Sequence, residues 1–205
     1  SYRRDTTSFA SMAAYTEGDA NLTGGSNPER VRAAQVVPGL FSVLQVQPLL
    51  GRTFTDADGF AGADAGVVLG HGLWQRRFGG DAAIIGRQVQ VNGRAHTVIG
   101  VMPPTFQLPL DYQRDRPTEL WTPFVIDPAN LGQWGNRLLL GVGRLRADAT
   151  PAAATAEFHL LWKRWIDAGF IADQRDLRGN RAAIPVREMV TGSIRTPLMI
   201  LLGTV

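Results

Sequence analysis

Cysteine is absent from the 205-residue chain, which excludes disulfides, thiolate zinc sites and cysteine nucleophiles. The absence leaves the compartment open, because a chain without thiols suits an oxidising periplasm and a reducing compartment equally. Lysine is almost as scarce. Of 21 basic residues all but Lys163 are arginine, which underlies a pI near 9.9 at a net charge of only +3. The arginines are scattered from Arg3 to Arg195 with no run longer than two, so the clustered basic face of a nucleic-acid binder is missing and no nucleic-acid partner is expected. The three histidines, His71, His96 and His159, have no partner at the spacing a helical metal site needs. Ser1 to Thr7 is polar and no apolar stretch follows a basic start, so no signal-peptide pattern is present. Long hydrophobic runs are lacking too. The most apolar segment, Pro197 to Val205, falls short of the roughly 20 residues a membrane helix requires. It reads either as a last buried element or as the beginning of a cut transmembrane helix, with Arg195 and Pro197 at the water-to-lipid boundary.

What is present is a globular composition, with 44% hydrophobic residues, ample for a buried core. The local pattern predicts a short helix over Thr6–Ala14, strands over Tyr15–Leu22 and Val31–Val37, and a turn at Gly24–Asn27. Pro38 opens a short helical segment ending near Val46, with Leu40, Phe41 and Leu44 on its apolar side. A small, acidic, glycine-rich stretch from Arg52 to Asp64 precedes a buried strand, Gly66–Leu69. A helix over Gly72–Phe78 ends at Gly79-Gly80, where glycine can close a helix in the left-handed conformation. Asn92-Gly93 between Gln88–Val91 and Ala95–Val101 is a strong hairpin signal. Leu138–Leu145 reads as a strand. The longest helix starts at Thr150-Pro151, with Thr as N-cap and Pro at the first helical position. Phe158, Leu161, Trp162 and Trp165 form its apolar stripe, which reads as core. Ala182–Val186 reads as a closing edge strand because it contains Pro185.

Templates for catalysis fail one after another. Gly70-His71-Gly72 lacks the serine of a nucleophile elbow. An EF-hand loop begun at Asp56 would need oxygen ligands where Phe60 and Val67 stand, so Asp56, Asp58 and Asp64 read as a solvated turn, with an irregular calcium site as the alternative. Glu157, Asp167, Asp173, Asp176 and Glu188 show no distinguishing pairing for glycosidase chemistry. No phosphate-loop motif follows a strand into a helix. The balance favours a protein that is not an enzyme and uses no cofactor or metal.

Specific strings carry more information. Phe41 to Phe54 resembles the "FxxLGVxPxxGRxF" signature of the MacB-like periplasmic core domain, with Gln45 where the family usually carries glycine. Leu73 to Asp81, Ile85-Gly86-Arg87 and Val91-Asn92-Gly93 resemble its "LWxRRFGGDxxxIGxxxxxNG" stretch, and Val98 to Pro103 its "xVIGVMP" element. Leu120 to Pro123 and Val142 to Leu145 continue the likeness in the same order. The chain thus resembles the extracytoplasmic domain of permeases of the MacB/FtsX class, in particular the duplicated permeases of acidobacteria.

The resemblance implies an α+β fold. A Porter-like α/β subdomain would be formed by both chain ends, residues 1–50 and 134–196. A mainly β Sabre-like subdomain would be inserted over residues 51–133, and residues 197–205 would begin a truncated transmembrane helix. It implies placement at the cell inner membrane with this domain in the periplasm. Cytoplasmic ATP hydrolysis would drive its conformational change, as mechanotransmission for efflux or export. The implied partners are an ABC ATPase, a periplasmic adaptor protein, a second permease in a dimer, and the membrane through flanking helices. The alternative is a periplasmic ligand-binding module with a groove between the subdomains, whose walls would be Trp74, Trp121 and Trp134. An enzyme with an unrecognised site is a third reading, which steady turnover of a substrate would identify.

Overall fold

A computed structural model describes residues 5–23, 27–125, 139–169 and 182–189. Eight strands form among the described residues: β1 Phe9–Thr23, β2 Glu29–Val36, β3 Leu50–Gly51, β4 Gly66–Leu69, β5 Gln88–Val91, β6 Arg94–Val101, β7 Leu120–Pro123 and β8 Leu140–Leu145. The helices are α1 Leu40–Val43, α2 His71–Phe78 and α3 Pro151–Asp167. The result is an α+β fold built on a mixed sheet.

The chain divides into two compact units. The larger comprises the described parts of Met12–Asp111 and Asp115–Val142. In it β1 and β2 pair antiparallel from Tyr15↔Val36 to Leu22↔Glu29. β2 lies parallel to β7, β7 antiparallel to β4, and β4 parallel to β6. The β5–β6 hairpin turns at Asn92 (φ 51) and Gly93 (φ 77), positive at both central positions as a type I′ turn requires. β5 then returns to β1 through Leu22↔Val91 and Thr23↔Gln90. The ladders therefore form a closed ring in the order β1, β2, β7, β4, β6, β5. Every strand of the ring contributes to one buried cluster, which includes Leu22, Val31, Leu69, Val91, Val98 and Leu120. A bulge shifts the β4–β6 register between Val67 and Val68, so Val98 and Val101 both join this cluster. Leu73 and Trp74 of α2 pack against it.

The opposite faces of β1, β2, β4 and β7 hold a second cluster, in which Tyr15, Val36, Val68 and Trp121 meet Leu40, Phe41 and Val43 of α1. Phe41 sits edge-on to Trp121 with ring centroids 6.0 Å apart. α1 ends in a Schellman motif: Val46 N–H donates to Phe41 O and Gln45 N–H to Ser42 O. Gln45 occupies the left-handed position at φ 56, a conformation that favours glycine. Strands on both sides of Gly51 enter one ring, so residues 12–50 belong to the same compact unit as residues 51–111.

The smaller unit comprises the described parts of Ser1–Ser11, Tyr112–Arg114 and Gly143–Val205. α3 begins as the sequence predicts, with the Thr150 side chain accepting from Ala153 N–H at 3.1 Å and Pro151 in the first turn. Within the predicted stripe Leu161 is buried and Phe158, Trp162 and Trp165 are half-buried. Phe158 stacks on Phe9 with centroids 5.3 Å apart.

Two expectations are corrected. Thr6–Ala14 is not a helix, because β1 already starts at Phe9. Strand pairing overrides the helical preference of its alanines, and Ala14 O accepts from Val37 N–H at 2.8 Å in continuation of the hairpin. Ala182–Val186 is not a closing strand. The Pro185 carbonyl instead accepts from the amides of Glu188 and Met189 and opens a helical turn over 186–189. The turn expected at Gly24–Asn27 and the tail Pro197–Val205 lie wholly or largely outside the described residues.

Substituting Gln45→Gly removes a side chain from a left-handed backbone position and should raise unfolding free energy by about 1 kcal/mol in urea titrations. Gln45→Ala, which keeps a Cβ there, should show no such gain.

Candidate functional site

The recognised motifs turn out to position backbone and core. Gly51 (φ 70) faces Gly100 across β3 and β6. A Cβ on Gly51 would overlap the Ile99 carbonyl oxygen, and one on Gly100 the Arg52 carbonyl oxygen. Arg52 then binds Asp58 through two parallel bonds, Nη1 to Oδ2 at 2.8 Å and Nη2 to Oδ1 at 3.0 Å. Thr55 adds its N–H and hydroxyl to Oδ2 at 2.7 and 2.8 Å, completing a capping box for the turn Asp56–Gly59. The Arg52 guanidinium, against the opposing effect of burial and with help from Thr55, lowers the Asp58 carboxyl to about 2. Of the three aspartates in this loop, Asp58 is therefore a staple, 8% exposed and committed to protein donors. No group of three or more metal-ligating side chains forms among the described residues.

The α2 motif has the same character. Leu73 and Trp74 enter the core, and Trp74 Nε1 donates to Asp81 O at 3.0 Å. Arg76 bridges two strand beginnings, reaching Glu29 Oε1 at 2.5 Å and Glu119 Oε1 at 2.9 Å. Glu119, against burial and with Glu29 assisting, raises the Arg76 pKa above its ordinary value. Arg77 donates to Asn27 O at 2.8 Å. Gly79 (φ 64) closes the helix as its sequence predicts.

Of the three candidate tryptophans, the two described ones lie in different clusters. Trp74 is 7% exposed in the ring cluster, Trp121 is 1% exposed in the second cluster, and Trp134 lies outside the described residues. His71 stacks edge-on against Trp74, His159 is exposed on α3, and His96 projects from β6.

One concave surface of the larger unit lies at the mouth of the strand ring. The β1–β2 pairing continues past the Asn92–Gly93 turn, leaving a cleft of ≈ 380 Å³. Its floor includes Gly18, Ala20, Ala33 and Leu120, and its rim Thr16, Gln35, Thr122, Arg94 and His96. His96 Nδ1 lies 2.9 Å from Arg94 O, so this nitrogen carries the proton and donates it. The sequence could not disclose this cleft, because its parts meet only through the parallel pairing of Ala33 with Leu120 and the hairpin register.

A second grouping unseen in the sequence lies in the smaller unit. Glu157 of α3 accepts from Thr7 N–H at 2.5 Å, from the Thr7 hydroxyl at 2.7 Å and from Ser8 N–H at 3.0 Å. Desolvation opposes ionisation here, yet these donors prevail and hold the carboxyl at about 2.

This is the architecture of an α+β scaffold domain, with its charged motif residues spent on fold geometry and a polar cleft open at one end. The family profile of the MacB-like periplasmic core domain matches residues 2–160, and the chain belongs to that family. The domain is the periplasmic core of a MacB/FtsX-like ABC transporter permease. It is similar in fold to the periplasmic region of MacB from Actinobacillus actinomycetemcomitans, with a TM-score of 0.59 and 20% identity over 78% of this chain and 69% of that one. It is also similar to the extracellular domain of the noncanonic ABC-type transporter YknZ from Gram-positive bacteria, with a TM-score of 0.56 and 18% identity over 81% of this chain and 80% of that one. No curated protein sequence matches the chain. No helix among the described residues is long and apolar enough to cross a membrane.

Two outcomes follow from these motifs. Gly100→Ala should cost at least about 2 kcal/mol in chemical denaturation, because its Cβ meets backbone rather than a movable side chain. Asp58 titrates lower in the folded state than its ordinary 3.8, so its contribution is full above about pH 4 and fades as pH falls toward 2. Asp58→Asn should remove about 1–2 kcal/mol at pH 7, discounted for the exposure of Arg52, and flatten the stability profile between pH 4 and 2.

Proposed function

We propose that this chain is the extracytoplasmic part of a permease in which ATP hydrolysis by a cytoplasmic ABC ATPase is converted into movement of the periplasmic domain, for efflux or export. The observation that carries this reading is the family match over residues 2–160, with its motifs in order. The domain stands in the periplasm, anchored by inner-membrane helices of the permease. The permease works as a dimer with its ATPase and a periplasmic adaptor. The smaller unit supports this arrangement: it contains both the N-terminal residues and α3, and Glu157 bonds Thr7 and Ser8 to that helix. A pull on either segment is therefore received by one compact unit. The chemistry lies in the ATPase, and this domain supplies moving surfaces. A ligand-binding role is the second reading, favoured by the cleft in the ring.

The absence of cysteine makes the test direct, since a single introduced thiol is unique in this chain. Arg87, whose side chain is 60% exposed, is replaced by cysteine and spin-labelled in the full-length permease, assembled with its ATPase in nanodiscs. Pulsed dipolar spectroscopy between the two copies should give different distance distributions with and without hydrolysable ATP. Identical distributions under steady ATP turnover would reject the coupling.

A further inference from the structure

The cleft at the mouth of the ring carries a bias in charge that its lining residues, taken as a set, conceal. Strand alternation sorts them. Thr16, Gln35 and Thr122 share the faces of β1, β2 and β7 that carry Ala20, Ala33 and Leu120 of the ring cluster. Arg94 and His96 share the face of β6 that carries Val98. Glu17 and Asp19 also border the cleft, but they alternate with these positions and share the face of β1 that carries Tyr15. Their carboxylates are turned to β2, where Glu17 meets Arg32 at 3.7 Å and Asp19 meets Arg30 at 2.8 Å. The ionisable side chains left on the cleft's own face are thus an arginine and a histidine. Arg94 makes no ion pair among the described residues.

We propose that this cleft binds the C-terminal carboxylate of a short peptide. A guanidinium offers paired N–H donors that match the two oxygens of a carboxylate, and this match is stronger than a neutral hydrogen bond. His96 has Nδ1 committed to the Arg94 carbonyl at 2.9 Å, which leaves Nε2 as an acceptor for a peptide N–H rather than a second contact to the carboxylate. Thr16, Gln35 and Thr122 can donate to and accept from peptide amides. The floor of glycine and alanine keeps ≈ 380 Å³ open, toward the small end of the roughly 300–1,000 Å³ typical of ligand sites and suited to a few residues of peptide. The site uses only groups of the larger unit and does not depend on the transport reading, so either can fail without the other.

The probes are trialanine and its C-terminal amide, titrated into the isotopically labelled chain and followed by amide chemical shifts. Trialanine should produce saturable shifts at Thr16, Gln35 and Thr122 in the millimolar range. The amide should bind at least about tenfold more weakly, since it lacks the charge that Arg94 recognises. Arg94→Gln should abolish the trialanine shifts, whereas Arg87→Gln should leave them unchanged. Absence of saturable shifts, equal affinity for acid and amide, or full binding by Arg94→Gln would overturn the proposal. Should Arg94→Gln fail to fold, the acid-to-amide ratio in the unaltered chain decides.

Discussion

Closure of the strand ring depends on the short ladder between β1 and β5. Among the described residues β1 and β5 pair through Leu22↔Val91 and Thr23↔Gln90, reinforced where Asn21 N–H donates to Asn92 Oδ1 at 2.8 Å and Asn92 N–H to Asn21 O at 2.9 Å. This junction joins the β1–β2 pair to the β5–β6 hairpin. Without it the face bearing Leu22, Val31 and Val91 would open to water, at a cost that scales with the apolar area exposed. The same junction fixes where the ring stops. Because the hairpin turns at Asn92-Gly93 while β1 and β2 run on, the cleft beside Thr16 and Gln35 is a geometric consequence of closure.

Around the ring, the family motifs solve problems of close approach. Gly51 and Gly100 let β3 and β6 pair where neighbouring carbonyls leave no room for a Cβ. Arg52, Asp58 and Thr55 satisfy one another and fix the loop that follows β3. Arg76 gathers Glu29 and Glu119, the residues that open β2 and lead into β7, onto one helix. These linked constraints tie β2, β3, β6, β7 and α2 to one another and stiffen the larger unit.

The smaller unit is held together differently. One carboxylate, Glu157, collects three donors from Thr7 and Ser8, Phe9 stacks on Phe158, and the Thr155 hydroxyl accepts from Ala183 N–H at 2.9 Å. These contacts bring the N-terminal residues and residues around 183 to the same helix. Such long-range polar anchoring suits a unit whose segments come from opposite ends of the chain, where loop closure is entropically costly and each contact must offset it.

Local chemistry was legible wherever neighbouring residues decide the conformation. Asn92-Gly93 announces a hairpin, Thr150-Pro151 a helix start and Gly79 a helix end, because each depends on a backbone angle or a cap set within a few positions. Gln45 could be placed at a helix exit, although its left-handed backbone emerged only in the structure. The alanine-rich beginning of β1 has a helical pattern in sequence and is a strand in the structure, because its propensity is local and its strand partners are distant. Pro185 was legible as a residue that cannot complete a ladder, but only the structure showed its carbonyl opening a turn. Sequence by itself therefore determined the turns, caps, family and approximate elements. Tertiary structure alone decided that β2 lies beside β7, that acids and bases on β1 and β6 face opposite ways, and that Glu157 reaches Thr7, because these depend on pairings across many residues that no local pattern encodes.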